Sequence, residues 1–361
     1  MLQSQERTYL SGVNILRGLL SLSVLLWHYQ HFWVGSSDFD YTTQPWFSLL
    51  RVPYTRGYDA VPVFWMVSGV VLANAYFTTL HKGRLVSYIK ARIARLYPLH
   101  FVTLTVIAAL QLLGDSPQIY GNNDTKHFFL NFFFIPWWGF EDGFSFNAPI
   151  WSVSIEIPIY VAFALLIYRL PNRARIWLVG SVLITIYIFN SYRPDLLGHI
   201  GIKSDFVDCA AYFFTGIMIS RIVRISSRRS ALFWLVLSLG TLAILGLDSG
   251  NWLFGTSVVL STLAIASGSL SQLFNSRILR TFGELTYSVF LWHVPIQILI
   301  RWFLIETGAN NQYFGSIRLL AGYLFATYFV GYFSFKYIEE PMRHMLRKSS
   351  TPPRQAASRA T

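Results

Sequence analysis

The chain has 361 residues, of which 53% are hydrophobic and only 13% are charged, and its mean hydropathy is +0.43. Soluble domains carry about 25% charged residues, so the composition excludes an ordinary water-soluble enzyme. The single cysteine, Cys209, excludes an intrachain disulfide and a thiolate metal cluster. We therefore expect an integral membrane protein without a bound metal.

Apolar stretches long enough to cross a bilayer recur along the whole chain. This pattern predicts an all-α polytopic bundle of about ten transmembrane helices, with a short cytoplasmic segment at 1–10, a membrane domain at 11–345 and a disordered cytoplasmic tail at 346–361. The predicted spans are 12–33, 59–80, 96–113, 150–168, 176–190, 206–221, 231–247, 252–268, 282–305 and 317–337.

The formal net charge of +12 is distributed unevenly over the predicted loops. If the N-terminus is cytoplasmic, 21 of the 29 lysines and arginines fall on the cytoplasmic side and 5 fall outside. This positive-inside asymmetry predicts that both termini are cytoplasmic. It also explains the basic balance without nucleic-acid binding.

Arg17 and His28 lie eleven residues apart in the first predicted span. Eleven residues make three helical turns, so the two side chains share a face and lie about 16 Å apart along the axis. Ionisable groups at membrane depth are usually functional. A neutral His28 could act as a general base or as an acyl acceptor. In the alternative interpretation, Arg17 extends to the cytoplasmic surface and the histidine only ends the span.

A basic segment, HKGRLVSYIKARIARLYP, follows the second span and places Arg92 and Arg95 on one helix face. Guanidinium groups bind phosphate bidentately, so this pair is a candidate phosphate clamp. Ordinary positive-inside charge explains the same residues equally well.

Three further residues are candidates for the same site. Glu156, in the fourth span, could orient a histidine, accept a proton from a hydroxyl, or pair with an arginine. His293, in the ninth span, is either functional or a satisfied core histidine. Glu339 precedes Pro341 at the end of the last span, where we expect it to pair with Arg92, Arg95 or Arg343 as a structural brace.

Six elements occur in the order of a known family. They are LRGLLSLSVLLWHY, VPVFWMVSGVVL, ARIARLYP, IWSVSIE, GELTYSVFLWHVP and YIEEPMR. The resemblance that they carry extends over residues 10–345. The sequence thus resembles the acyltransferase-3 family of ten-span inner-membrane enzymes, which includes O-antigen, exopolysaccharide and Nod-factor O-acetyltransferases. One departure is IEIPIY after the tryptophan element, which lacks the second carboxylate usual in the family.

The resemblance implies transfer of an acyl group, with acetyl the most common, from cytoplasmic acyl-CoA to a hydroxyl of an extracytoplasmic or lipid-linked glycan. Such an enzyme would lie in the bacterial inner membrane, contact lipid, use acetyl-CoA as a co-substrate and hold no permanent cofactor. It matches His28 to the catalytic histidine, with Glu156 as a second catalytic residue that orients it or steadies its charged form. Arg17, Arg92 and Arg95 would bind the CoA phosphates, and Glu339 would brace the CoA side.

Ser68, Trp151 and His293 lie inside three of these elements, and we expect them to contact substrate. The alternative function is a polytopic transporter of a glycan or an ion, with the buried histidine and glutamate as a proton relay.

Overall fold

The computed structural model describes residues 2–36, 39–80, 85–113, 117–192, 203–225, 256, 258–260, 262, 276–308 and 311–348. Within these ranges the chain forms helices, turns and loops and no strand, so the all-α prediction is confirmed for them. The helices are α1 (Leu2–His28), α2 (Phe47–Arg56), α3 (Ala60–Tyr76), α4 (Leu85–Leu112), α5 (Thr125–Phe132), α6 (Trp151–Ile167), α7 (Asn172–Tyr192), α8 (Ser204–Ile225), α9 (Arg277–Glu284), α10 (Thr286–Glu306), α11 (Ile317–Ser334) and α12 (Glu340–Lys348).

Four described helical stretches are long and apolar enough to cross a bilayer, namely Phe47–Tyr76, Leu85–Leu112, Ala148–Ile167 and Thr286–Glu306. The chain is therefore a polytopic helical membrane protein. Four other predicted spans coincide with α1, α7, α8 and α11. The predicted span 231–247 lies outside the described residues, as does 252–268 apart from five positions.

The ends of the predicted membrane domain differ slightly from the helix boundaries. Segment 1–10 is continuous with α1, which begins at Leu2. At the other end, α12 continues to Lys348, three residues into the predicted tail. The rest of that tail lies outside the described residues.

Glycines let two pairs of helices approach until their backbones touch. A Cβ atom at Gly69 of α3 would collide with the carbonyl oxygen of Phe213, and one at Gly216 of α8 would collide with that of Met66. Gly283 of α9 lies in the same way against the backbone of Asn14 in α1. Small residues at such crossings replace side-chain volume with backbone contact, which is how helices associate in membranes. The α3–α8 pair thereby forms a rigid wall of the bundle.

Two prolines inside helices fix the loop that covers one end of the bundle. Proline has no N–H, so it leaves the carbonyl four residues earlier without its helical donor. The carbonyl freed by Pro158 in α6 accepts the Trp138 indole N–H at 3.2 Å. The carbonyl freed by Pro295 in α10 accepts the Asn147 amide at 2.8 Å. The helix breaks therefore anchor the loop between α5 and α6.

A single turn of π-helix, Phe335–Glu339, joins α11 to α12. Glu339 ends this turn and is almost completely buried, with 1% of its surface exposed. Turns of this type carry one extra residue and are common near functional sites. Here the turn directs a carboxylate into the bundle.

Candidate active site

The described residues enclose two large cavities at opposite depths of the bundle. The first, which we name the arginine cavity, has a volume of about 1100 Å³ and is lined by Arg17, Arg92, Arg95, Glu156 and Tyr160, among others. These side chains come from α1, α4 and α6. The structure thus brings together the three arginines that the sequence predicted as a phosphate-binding group.

The three arginines differ in their partners. Arg95 forms an ion pair with Glu339, which also accepts a hydrogen bond from the Ser288 hydroxyl at 2.8 Å. Arg343 lies 3.5 Å from the same carboxylate, so the predicted pairing of Glu339 with Arg95 and Arg343 is confirmed.

Arg17 and Arg92 have no carboxylate within ion-pair distance in the described part of the chain. The Arg92 guanidinium lies 5.8 and 5.9 Å from the rings of Tyr76 and Tyr88. These two arginines are the cations available to a ligand.

Glu156 lies in the arginine cavity and does not contact His28. Its Oε2 atom accepts a hydrogen bond from the Tyr160 hydroxyl at 2.8 Å. The Ser68 hydroxyl lies 3.3 Å from the same Tyr160 oxygen. Glu156 is five residues into α6, deeper than the end that faces the histidine. The expectation that Glu156 orients His28 is therefore wrong, because the helix places it on the arginine side.

The second cavity, which we name the histidine cavity, has a volume of about 1180 Å³. Its walls carry His28 from the end of α1 and His31 from the 3-10 turn that follows it, together with aromatic side chains from the loops and from α6. His28 is the last residue of α1 and is 8% exposed. Arg17 and His28 therefore open into different cavities, three helical turns apart on one helix.

The backbone of α1 fixes the tautomer of His28. The Nδ1 atom lies 2.9 Å from the carbonyl oxygen of Val24. A carbonyl only accepts hydrogen bonds, so Nδ1 carries the proton and Nε2 carries the lone pair. No carboxylate hydrogen-bonds to this ring among the described residues. Nε2 is consequently available as a base or as a nucleophile.

The His293 ring packs against the His28 ring. The two rings lie 4.6 Å apart at a steep angle, and His293 is fully buried and is not part of either cavity surface. The structure thus gives no support to the expectation that His293 contacts substrate, because the ring packs between α10 and His28.

Gln297 was missed by the sequence analysis. One turn beyond His293 on α10, its side-chain amide donates to the carbonyl oxygen of His28 at 2.8 Å. The available signal was a polar residue four positions after a histidine in an apolar helix, in the run HVPIQILI.

Aromatic rings line one side of the histidine cavity. Trp151 and Phe144 lie on its surface, and Trp137 stacks on Phe144 with ring centroids 4.4 Å apart. The cavity also carries the carboxylates of Asp59, Asp205 and Asp208, and no lysine or arginine among its described lining residues. Trp151 is therefore placed where the sequence predicted a substrate contact, whereas Ser68 lies in the other cavity.

Three side chains line both cavities and separate them. Val61 and Trp65 project from one face of α3, and Phe290 faces them from α10. We name these three residues the partition. In the described part of the chain, no group of three or more His, Cys, Asp or Glu side chains is placed to hold a metal ion.

These features define a helical membrane protein with a cation-lined cavity, a histidine with a free ring nitrogen and a narrow wall between the two. The family model described as an acyltransferase domain, Acyl_transf_3, matches residues 10–336. The chain belongs to the acyltransferase-3 family, as its motifs predicted.

Three proteins that are similar to the chain also carry acyltransferase names. The peptidoglycan O-acetyltransferase OatA of Listeria monocytogenes is 23% identical over 94% of this chain and 56% of its own length. The O-acetyltransferase OatA of Staphylococcus aureus is 20% identical over 93% of this chain and 57% of its own length. The acyltransferase MdmB of Streptomyces mycarofaciens is 27% identical over 48% of this chain and 44% of its own length.

The chain thus spans little more than half the length of the OatA relatives. No solved structure is significantly similar to it.

Proposed function

We propose that the protein is a membrane O-acyltransferase that moves an acetyl group from cytoplasmic acetyl-CoA to a hydroxyl of an extracytoplasmic or lipid-linked glycan. In this proposal the chain crosses the bacterial inner membrane about ten times, with residues 11–345 as the enzymatic domain and both termini inside. The observation that carries it is the pair of cavities, one with free arginines and one with His28, that meet at a common wall.

The arginine cavity has the chemistry of a donor site. CoA carries a diphosphate and a 3′-phosphate, and guanidinium groups match these anions in charge and geometry. Arg17 and Arg92 lack carboxylate partners among the described residues, so they are free to bind phosphate. Arg95, neutralised by Glu339, holds the cavity wall instead.

The donor must also cover the distance to the histidine. Arg17 and His28 are about 16 Å apart along α1, a length that the pantetheine arm of CoA spans. Glu156 lies on this route, and its Oε1 atom is buried without a partner among the described residues. A carboxylate oxygen in this place accepts a hydrogen bond from an amide N–H of the arm, so Glu156 serves the donor rather than His28.

The free Nε2 atom of His28 supplies the chemistry. As a general base it takes the proton of the acceptor hydroxyl while the hydroxyl oxygen bonds to the thioester carbon. The C–S bond then breaks, and the CoA thiolate leaves and takes up the proton that His28 had accepted. In the alternative sequence Nε2 itself bonds to the carbonyl carbon, and the C–S bond breaks to release the CoA thiolate. The glycan hydroxyl then attacks the acyl-imidazole, the N–C bond breaks, and the hydroxyl proton passes to the thiolate.

The histidine cavity has the chemistry of an acceptor site. Its aromatic wall at Trp151 and Phe144 offers flat apolar faces to a sugar ring, and its carboxylates accept hydrogen bonds from sugar hydroxyls. The named relatives that cover nearly all of this chain are O-acetyltransferases, one of them for peptidoglycan. A glycan acceptor follows from these two lines together.

The test uses purified protein in lipid, radiolabelled acetyl-CoA and envelope polysaccharide from the source cells. We expect label in the polysaccharide with the native chain. His28→Gln should lower the rate about 1000-fold, a loss typical of a removed general base or nucleophile. His100→Gln is the matched control, since His100 is also a buried helical histidine, bonded to the Asn131 carbonyl at 2.8 Å, but lines neither cavity.

Label that remains on the native protein without acceptor would favour the acyl-histidine sequence. Transfer by His28→Gln at the native rate would contradict the catalytic role of His28. If the native protein neither transfers label nor binds acetyl-CoA, the proposed activity is wrong and the transporter function becomes the better explanation.

A further inference from the structure

The partition of Val61, Trp65 and Phe290 is the part of the described structure that lines both cavities. We infer that these three side chains select the acyl group by its length and admit the acetyl group in preference to longer chains. This inference rests on the proposed function, because it concerns the path of a thioester from the arginine cavity to His28.

Two rings of the partition are fixed in place. Trp65 is 3% exposed, and its indole N–H donates to the Ser152 carbonyl at 3.2 Å. Phe290 is 7% exposed and packs against the His293 ring with centroids 5.7 Å apart. Neither ring turns aside without breaking these contacts. The width of the route is therefore a fixed property of the fold.

The neighbouring part of α1 closes the remaining side. Between Arg17 and His28 the same helix face presents Ser21 and Val24, which are 0% and 1% exposed. Val24 belongs to the same buried apolar cluster as Trp65 and Phe290. An acyl group attached to the donor sulfur thus meets the apolar side chains of the partition and of Val24 when its carbonyl reaches the histidine.

Such a wall distinguishes acyl groups by the number of methylene groups that they carry. One extra methylene in a tight apolar pocket changes a rate about 10- to 200-fold, because packed side chains move little to make room. We expect the native protein to use acetyl-CoA at least about tenfold faster than propionyl-CoA, and butyryl-CoA more slowly still.

Val61 is the residue that adjusts this width with least damage. It is partly buried, carries no polar group and lies on the surface of both cavities. Val61→Ala removes two methyl groups from the route. Val71 gives a matched control, since it lies ten residues further along α3 and lines only the arginine cavity.

The experiment measures CoA release from acetyl-, propionyl- and butyryl-CoA, with envelope polysaccharide as acceptor, for native protein, Val61→Ala, Val61→Leu and Val71→Ala. The readout is the ratio of the butyryl to the acetyl rate in each preparation, which cancels differences in yield. We expect Val61→Ala to raise this ratio at least about tenfold, Val61→Leu to lower it and Val71→Ala to leave it unchanged.

Phe290→Leu is a second, independent variant that shortens the other side of the wall, and it should also raise the ratio. A native rate that is the same for all three donors would overturn the inference, and so would native ratios in both Val61→Ala and Phe290→Leu. Absence of CoA release from every donor contradicts the proposed function itself. Acetyl transfer with a flat chain-length profile contradicts only the role of the partition.

Discussion

The arginine cavity and the histidine cavity lie in one bundle and use opposite means to keep polar groups inside a membrane protein. In the arginine cavity, charges face each other, as in the pairing of Arg95 and Arg343 with Glu339. In the histidine cavity, the His28 ring is hydrogen-bonded to the backbone carbonyl of Val24 and packs against the rings of Trp27 and His293.

This difference between the two cavities suits each of them to a separate task. The first cavity provides fixed charge, which suits the binding of an anion. The second provides a neutral base with a defined tautomer, which suits a proton transfer. The partition separates the arginines of the first cavity from His28, whereas the carboxylates of Asp59, Asp205 and Asp208 line the same cavity as the ring.

The largest expected effect comes from breaking the close contact between α3 and α8. Gly69→Leu would place a side chain where the Phe213 carbonyl lies, so α3 and α8 must separate. We expect a loss of about 4 kcal/mol or more in stability, seen as a strongly lowered melting temperature in detergent. Gly322→Leu is the control, because a side chain there meets open space in α11. Equal melting temperatures for the two variants would refute the close crossing.

A second variant tests the arginine cavity alone. Arg17→Gln removes a cation that has no carboxylate partner among the described residues. A hydrogen bond to a charged group contributes about 1.5–3 kcal/mol, so we expect the KM for acetyl-CoA to rise about 10- to 100-fold with little change in kcat. Steady-state kinetics check this. An unchanged KM would mean that the cavity does not bind the donor phosphates.

The corresponding variant near His28 is Gln297→Leu. It deletes the amide that donates to the His28 carbonyl, and Gln297 itself lines neither cavity. We expect kcat to fall about tenfold, the cost of a lost buried hydrogen bond, with an unchanged KM for acetyl-CoA. A rise in KM of the same size would show that Gln297 acts through the general packing of α10 instead.

The smallest effect concerns the loop that covers the histidine cavity. Hydrogen bonds from the backbone and ring of His127 lower the pKa of Asp124, which caps α5. A carboxylate with a lowered folded-state pKa stabilises the fold above its unfolded pKa, and the contribution disappears as the pH falls through the folded value. The protection of α5 amides against hydrogen exchange, taken relative to the unprotected rate at the same pH, should therefore fall below about pH 4. Asp124→Ala should show the lowered protection at neutral pH as well, whereas native-like protection in this variant would exclude the cap.

Helix periodicity was sufficient to predict part of the site. The shared face of Arg17 and His28 follows from their spacing, and the clustering of Arg17, Arg92 and Arg95 follows from span ends that meet at one depth. The partner of Glu339 was predictable in the same way, because it is the buried acid beside a group of cations.

The remaining contacts of the site depend on the rotation of each helix about its own axis relative to its neighbours. That rotation is set by contacts such as Gly69 against Phe213, which spacing along one helix does not specify. For this reason the bond from Gln297 to the His28 carbonyl was not predictable, whereas Glu156 and Tyr160 lie four residues apart on one helix, a spacing at which side chains meet. The partition was not predictable for the same reason, since Val61, Trp65 and Phe290 are ordinary apolar residues in their own helices.

The π-helical turn at Phe335–Glu339 has a consequence for how the last helix tolerates change. An α-helix advances 100° for each residue, so deleting one residue from this turn would rotate everything after it by about that angle. Glu339 would then lose its place beside Arg95, and Arg343 and His344 would turn away from the arginine cavity that they line. The length of this turn is therefore under tighter constraint than the identity of most residues in it.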